Sequence, residues 1–278
     1  MEMPHWPEAK GVPDVHIGWG EVPEVLPDTT ELWGTFWGRK GTCLLKYPGV
    51  GRMLVEGGNR ITCASSQGDN PRSLTALLSG VCSAALLFQR DLVVLHASAA
   101  AKDGRAILIM GPSGAGKSTT ASALVQRGYQ LISDDLTVVT LRPDGTPMAM
   151  PSFPSVRLRR DSLRALHGEV SSQENLEPLD DKHRHSFEQF ALEPVKIERC
   201  CRILAHEAPL PTSENVQGVH RLFALRDNLY RRRMARILAD EQRLDATLIA
   251  LAQSVTLRRI ARPRAGFDLD ALFEVITG

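Results

Sequence analysis

Residues 106–120 read AILIMGPSGAGKSTT, and the rest of the chain is read outward from them. Ala106-Ile107-Leu108-Ile109-Met110 is a short apolar run of the kind that forms a buried strand. Gly111-Pro112-Ser113-Gly114-Ala115-Gly116-Lys117-Ser118 fits the pattern G-x-x-x-x-G-K-[ST], and residues 119–127 continue as a helix stopped by Gly128. Three glycines let the backbone curl so that successive N–H groups point inward, an anion nest above a helix N-terminus. Lys117 adds a mobile point charge for β- and γ-phosphates, and the Ser118 hydroxyl suits Mg²⁺, which prefers oxygen ligands. A glycine turn that binds nothing would not need the full eight-residue pattern between a strand and a helix. The stretch therefore implies an α/β fold with a nucleoside triphosphate site for ATP and Mg²⁺. The nucleotide-binding positions are Gly111, Ser113, Gly114, Ala115, Gly116, Lys117, Ser118 and Thr119.

The remaining composition narrows the class. At 278 residues the chain can bury a substantial core, and its net charge of +1 offers nothing to nucleic acid. The five cysteines are odd in number and lack metal-ligand spacing; adjacent Cys200 and Cys201 sit in an apolar run and read as buried thiols. No basic-then-apolar leader opens the chain and no apolar run is long enough to span a bilayer, so a soluble cytoplasmic protein without a membrane partner is expected.

Before the loop, residues 1–70 are rich in Gly and Pro and hold Trp6, Trp19, Trp33 and Trp37. Short alternating runs such as Thr42-Cys43-Leu44-Leu45-Lys46-Tyr47, with a turn at Gly57-Gly58-Asn59, predict a small β-rich lobe whose core holds the tryptophans. An aromatic grip on a ligand is the other reading of that cluster. From Pro71, apolar residues at Leu74, Leu77, Leu78, Val81, Cys82, Ala85 and Leu86 predict one helix ending near Arg90. A strand over 91–99 then carries His96 close to the phosphate loop. Beyond the loop, Tyr129-Gln130-Leu131-Ile132-Ser133 predicts a strand that delivers Asp134-Asp135. One of two such carboxylates can take a metal while the other accepts a proton from an attacking hydroxyl.

Taken together, His96, GPSGAGKST and RGYQLISDD, in this order and spacing, resemble the catalytic domain of HPr kinase/phosphorylase over roughly residues 91–141. The resemblance implies that Asp134 activates an acceptor serine, that Asp135 with Ser118 holds Mg²⁺, and that His96 lies beside the transferred phosphate. The chain departs from that family in two ways. Thr119 stands where the family has an acidic residue, and no counterpart of its C-terminal Pro-Val-Lys-Val-Gly-Arg-Asn loop is found, which argues against phosphorolysis. The N-terminal lobe, residues 150–158 and residues 190–195 look more like the HPr-kinase-related proteins of peptide-modification clusters, which include lasso-peptide tailoring kinases.

Arg157 is a catalytic candidate because a guanidinium can grip a phosphate or a peptide carboxylate with two parallel bonds. Arg159 and Arg160 read as solvated. Residues 166–189 read as a polar lid in which Lys182 could meet acceptor or triphosphate, and in which His183 and His185 are solvated or, as the alternative, bind a metal. Further on, a strand over 195–204, a long helix from 216 to 238 holding a solvated Arg231-Arg232-Arg233, a helix over 245–254, a strand over 255–260 and a helix over 268–276 complete the chain. The expected whole is a small N-terminal β-rich lobe (1–70) and a P-loop kinase domain of the HPr kinase type (71–278). Its expected activity is phosphoryl transfer from ATP to a serine of a peptide or small-protein acceptor, with Asp134, His96, Lys117 and Arg157 catalytic; a homo-oligomer stays open. A nucleotide-gated interaction protein and a small-molecule kinase are the competing classes.

Overall fold

The computed structural model describes residues 12–65, 71–167, 182–207, 209–264 and 268–278. The chain divides into two compact units. The described part of the first is residues 12–65, 71–94 and 230–244, and that of the second is residues 95–167, 182–207, 209–229, 245–264 and 268–278.

The first unit is built on a six-stranded sheet of β1 (His16–Trp19), β2 (Thr30–Leu32), β3 (Phe36–Arg39), β4 (Thr42–Tyr47), β5 (Gly51–Glu56) and β6 (Arg60–Ser65), in the order β1-β6-β5-β4-β3-β2. All neighbours are antiparallel except β1 with β6. Alternation along β5 sends Met53 and Val55 into a core with Phe36, Leu45, Ile61, Cys43 and Cys63. The tryptophans do not build that core. Trp19 and Trp33 are 55% and 48% exposed, Trp37 lies under the Lys46 ammonium, and Trp6 lies outside the described residues. The aliphatic residues of the central strands fill the core, which leaves the rings of Trp19 and Trp33 exposed.

The single helix expected after Pro71 is instead α1 (Pro71–Leu77), a π-helical turn over Leu78–Cys82, and α2 (Ser83–Gln89). The Ser83 hydroxyl donates to the Leu78 carbonyl five residues back, at 2.7 Å, a bond that competes with the regular helical ladder. Gln89 pins α2 to the sheet, accepting from Gly58 N–H at 2.7 Å and donating to the Val55 carbonyl at 3.0 Å.

The second unit is mixed α/β, and its topology gathers the site. After β7 (Val93–Leu95) come β8 (Ala97–Lys102), β9 (Arg105–Met110), α3 (Lys117–Gln126), β10 (Gln130–Ser133), β11 (Thr137–Leu141), β12 (Pro147–Met150), β13 (Ser155–Leu158) and α4 (Arg160–His167). Next are β14 (His183–Ser186), β15 (Val195–His206), β16 (Thr212–Asn215) and α5 (Val219–Asp227). The chain closes with α6 (Arg232–Leu238, in the first unit), α7 (Glu241–Ser254), β17 (Thr256–Pro263) and α8 (Leu269–Thr277). β9, β15 and β17 run parallel side by side, while β8 pairs antiparallel with β9 and β10 antiparallel with β8. The starts of β8 and the ends of β9, β10, β15 and β17 therefore lie along one edge. Ligands of parallel α/β sheets bind at that carboxyl-terminal edge.

α3 is buried on most of its surface. Leu124 packs with Ile107, Ile109, Ile203, Ile260 and the α8 residues Leu272 and Ile276, while Ala121 and Val125 meet Leu131, Val156, Leu158 and Leu163. The helix expected to run from 216 to 238 is broken into α5 and α6. Asn228 and Leu229 leave the helix to pair with the strand at Leu95 and His96, and Arg231 takes a φ of 41°. His183 is not in a solvated loop: it is buried in β14, opposite Leu158. Residues 168–181 of the expected lid lie outside the described residues.

Candidate active site

The phosphate loop leaves β9 at Gly111, whose φ of 144° is open to glycine and whose hypothetical Cβ would lie 2.3 Å from the Ile203 carbonyl oxygen. Gly114 and Gly116 also take left-handed φ values, of 79° and 98°. Ala115 N–H closes a turn onto the Pro112 carbonyl at 3.1 Å, and Thr120 N–H is bonded to the Gly116 carbonyl at 2.8 Å. Between these two, among the described residues, the N–H groups of Gly116, Lys117, Ser118 and Thr119 donate to no backbone carbonyl outside the regular elements. Four donors at a helix N-terminus are thus open to an anion.

Lys117 is buried, and its ammonium is surrounded by acceptors: the Gly111 carbonyl at 3.0 Å, the Pro112 carbonyl at 3.3 Å and His96 Nε2 at 2.9 Å. Burial pushes its pKa down, opposed by the charges of Asp135 and Asp134. Because an ammonium can only donate, Nε2 of His96 is the acceptor, and Nδ1 carries the ring proton. Nδ1 lies 3.2 Å from both the main-chain oxygen and Oδ1 of Asp135. Arg157 holds the other oxygen of that carboxylate, with Nη2 to Oδ2 at 2.7 Å. Burial alone would raise the Asp135 pKa, but the His96 hydrogen bond and the charges of Arg157 and Lys182 outweigh it and hold the carboxyl well below the usual range.

Asp135 is also held in an uncommon backbone state. Its φ is 68°, and Leu136 N–H reaches back to the Asp134 carbonyl at 2.8 Å, closing a tight γ-turn around it. A left-handed non-glycine residue costs about 1–3 kcal/mol and persists where its surroundings over-determine it. Here His96 and Arg157 do so. The turn points the two adjacent carboxylates at different partners. Asp134 accepts from the Ser98 hydroxyl at 2.6 Å on Oδ1 and from the Arg157 backbone N–H at 2.9 Å on Oδ2. Both donors are neutral, and among the described residues no ion pair reaches Asp134.

The structure thus brings His96, Lys117, Asp134, Asp135 and Arg157 into one connected network beside the loop, with Lys182 near enough for its charge to act on Asp135 and Lys117. Ser118 sits half-buried in the first turn of α3, and Thr119 is buried with its hydroxyl donating to Ser162 of α4 at 3.0 Å. Ser113 is exposed on the loop, and Arg159 and Arg160 are exposed beyond Arg157. His185 stacks edge-on to Phe187, and among the described residues no group of three or more His, Cys, Asp or Glu side chains could share a metal ion.

Three further residues of the site escape sequence reasoning. Ser98 had a signal, since it is two residues from His96 and so on the same face of an extended segment. Asn228 had none. From the break after α5 it accepts Gly111 N–H on Oδ1 at 3.0 Å, its main-chain oxygen accepts His96 N–H at 2.7 Å, and its Nδ2 donates to the Ala224 carbonyl at 2.7 Å. Arg262, in a stretch that looks like a surface charge run, donates Nε to the Ala115 carbonyl at 2.7 Å and Nη2 to the Gly114 carbonyl at 3.2 Å.

No protein-family model matches the chain. HPr kinase/phosphorylases from three strains of Streptococcus thermophilus are each 38% identical to it over 135 residues, an alignment that takes in 42% of this chain and 42% of each relative. The chain thus covers less than half the length of the curated relatives it matches. Among solved structures, the HPr(Ser) kinase/phosphatase from Coxiella burnetii aligns with a TM-score of 0.34 at 15% identity, over 66% of this chain and 87% of that one. The relationship is distant homology to HPr kinase/phosphorylase over part of the chain. No helix among the described residues is long and apolar enough to cross a membrane.

Proposed function

We propose that this chain is an ATP- and Mg²⁺-dependent kinase that transfers the γ-phosphoryl group to a serine hydroxyl of a peptide or small protein. One observation carries the reading: two adjacent carboxylates at the mouth of a phosphate cradle have opposite surroundings. Asp135 is tied to His96 and Arg157, whereas Asp134 is held by two neutral donors, Ser98 and the Arg157 amide. Environments that separate two like groups assign them different tasks. Asp134 keeps lone pairs for an incoming hydroxyl, so it aligns the acceptor serine and takes its proton. Asp135 is kept ionised and stays on the nucleotide side.

In this reading the open amides at the start of α3 bind the β- and γ-phosphates, and Lys117 leaves the Gly111 and Pro112 carbonyls to follow the phosphoryl group. His96 stands beside the phosphate being transferred, and its Nε2, by accepting from Lys117, steers the ammonium toward it. Ser118 and Asp135 are the residues that would hold Mg²⁺. They fit it, because both present oxygen and the Ser118 hydroxyl makes no side-chain hydrogen bond among the described residues. When bound, the ion supplies charge neutralisation for the phosphate oxygens. Phosphoryl transfer needs little more than positioning and electrostatics, so these few groups suffice. The finer reading, a precursor peptide of a biosynthetic cluster as acceptor, rests on the resemblance of the N-terminal lobe and residues 150–158 and 190–195 to lasso-peptide tailoring kinases.

The test is intact-mass spectrometry of acceptors incubated with the protein, ATP and Mg²⁺. The acceptors are any precursor peptide encoded beside it and the phosphocarrier HPr. Gain of one phosphate on a peptide serine, lost with Asp134→Asn while nucleotide still binds, is the expected result. Gain on HPr alone would keep the kinase and discard the peptide acceptor. Bound ATP with no gain on any acceptor would overturn the kinase reading in favour of a nucleotide-gated interaction protein.

A further inference from the structure

We infer that Arg262 is a positioning residue that keeps the phosphate cradle open by occupying the loop carbonyls that would otherwise close it. This rests on the reading that the loop takes a nucleotide, and it deepens that reading by assigning a residue that the motif does not contain. α3 begins at Lys117, yet the residues before it, Gly114-Ala115-Gly116, are only one turn away from continuing the helix backward. In that longer helix Ser118 N–H would donate to the Gly114 carbonyl and Thr119 N–H to the Ala115 carbonyl, the ordinary i to i−4 ladder. Those two carbonyls are the ones that the Arg262 guanidinium takes, Nη2 to Gly114 and Nε to Ala115, at 3.2 and 2.7 Å.

The consequence follows from the direction in which each carbonyl faces. Each carbonyl turned toward the guanidinium is withdrawn from the helix, and the matching amide stays without an internal partner. A planar, always-charged guanidinium suits the task, because two of its N–H groups can meet two adjacent carbonyls at once. Its own Nη1 is anchored on the Pro263 carbonyl at 2.7 Å, at the end of β17, so the fork is held by the sheet rather than by the loop. Arg262 is partly buried against the loop, and the loop's glycines, at φ values of 79° and 98°, can adopt the turned-out state without steric cost. Arg262 acts on the phosphates through the amides of Ser118 and Thr119, by setting which way the loop peptides face.

The experiment compares the full-length protein with Arg262→Ala and Arg262→Lys. Hydrogen–deuterium exchange is followed at the Ser118 and Thr119 amides without nucleotide, and affinity for the Mg²⁺ complex of a non-hydrolysable ATP analogue is measured by calorimetry. In Arg262→Ala those two amides exchange more slowly than in the wild type, because the helix extends into the loop. Nucleotide affinity falls about ten- to hundredfold, the scale of a lost hydrogen bond to a charged group. Arg262→Lys, able to serve one carbonyl, lies between. Unchanged exchange at Ser118 and Thr119 in Arg262→Ala overturns the inference, whether affinity holds or falls, since a fall would then come from direct attraction of phosphate or from general loss of structure. The exchange arm needs no nucleotide, so it decides the role of Arg262 even if the wild type binds none, an outcome that would instead overturn the kinase reading.

Discussion

Adjacent aspartates of identical chemistry are made unequal by their neighbours, and the differences can be tested residue by residue. Ser98 is fully buried and serves Asp134 with its hydroxyl. Ser98→Ala should lower phosphoryl transfer about tenfold, the scale of one bond to a charged group, while leaving nucleotide affinity unchanged. Equal transfer rates in the two proteins would remove Ser98 from the positioning of Asp134. Asp135 contributes a pH dependence from within the site. Its pKa is depressed in the folded state, so the stability that it contributes is complete above its ordinary value near 3.8 and is lost as pH falls toward the lower folded value. Asp135→Asn should therefore flatten the decline of unfolding free energy below about pH 4 in urea titrations. An unaltered decline would mean that other carboxylates carry it. Lys117 shows the opposite balance, a charge held in a buried place that resists it. Lys117→Met should raise the thermal midpoint or leave it unchanged while abolishing nucleotide binding; a strongly lowered midpoint would show that its bonds to Gly111 and Pro112 hold the loop together.

Elements differ in how far their local sequence settles them. The strand, loop and helix around residue 111 were legible because each signal is short-ranged: an apolar run, glycines where φ must be positive, and small residues along a helix that is buried on most sides. Gly111 adds a constraint that no motif states, since a Cβ there meets the backbone oxygen of Ile203 at 2.3 Å. Gly111→Ala should cost more than about 2 kcal/mol and also weaken nucleotide binding, because relief requires β9 and β15 to separate at the cradle. Chemical denaturation and calorimetry check this, and wild-type values in both would contradict the packing. The helices were less legible. Periodicity across 216–238 continues through the break at 228–231, because the apolar residues Leu229 and Tyr230 keep a helical spacing whether or not the backbone between them is helical. What ends α5 is that the backbone at 228–229 finds better partners in residues 95–96, and that partner is distant in sequence. The π turn at Leu78–Cys82 is similar, since hydrophobic spacing alone does not reveal a serine hydroxyl that bonds five residues back.

At the scale of the whole molecule each compact unit has its own core: Phe36, Leu45, Met53, Val55 and Ile61 in the first, and Ile107, Ile109, Leu124, Ile203 and Ile260 in the second. Met53 is fully buried, so Met53→Ala should destabilise the protein by about 2–5 kcal/mol through the cavity that it leaves. Nucleotide affinity measured well below the melting transition should stay at the wild-type value; a parallel loss of affinity would show that the first unit's core supports the cradle. The sequence by itself determined the P-loop, the α/β class of its surroundings, the strand that delivers Asp134 and Asp135, and the position of His96 shortly before the loop. Those readings depend on residues near one another in the chain, where backbone geometry and hydrophobic period act directly. Only the tertiary structure decided that Asp135 belongs to His96 and Arg157 while Asp134 belongs to Ser98, that Asn228 ties Gly111 to His96, and that Arg262 takes the loop carbonyls. Each of these bonds joins segments between 22 and 148 residues apart along the chain. Their partners are selected by the pairing of strands along one sheet edge, and a local pattern of residues carries no record of that pairing.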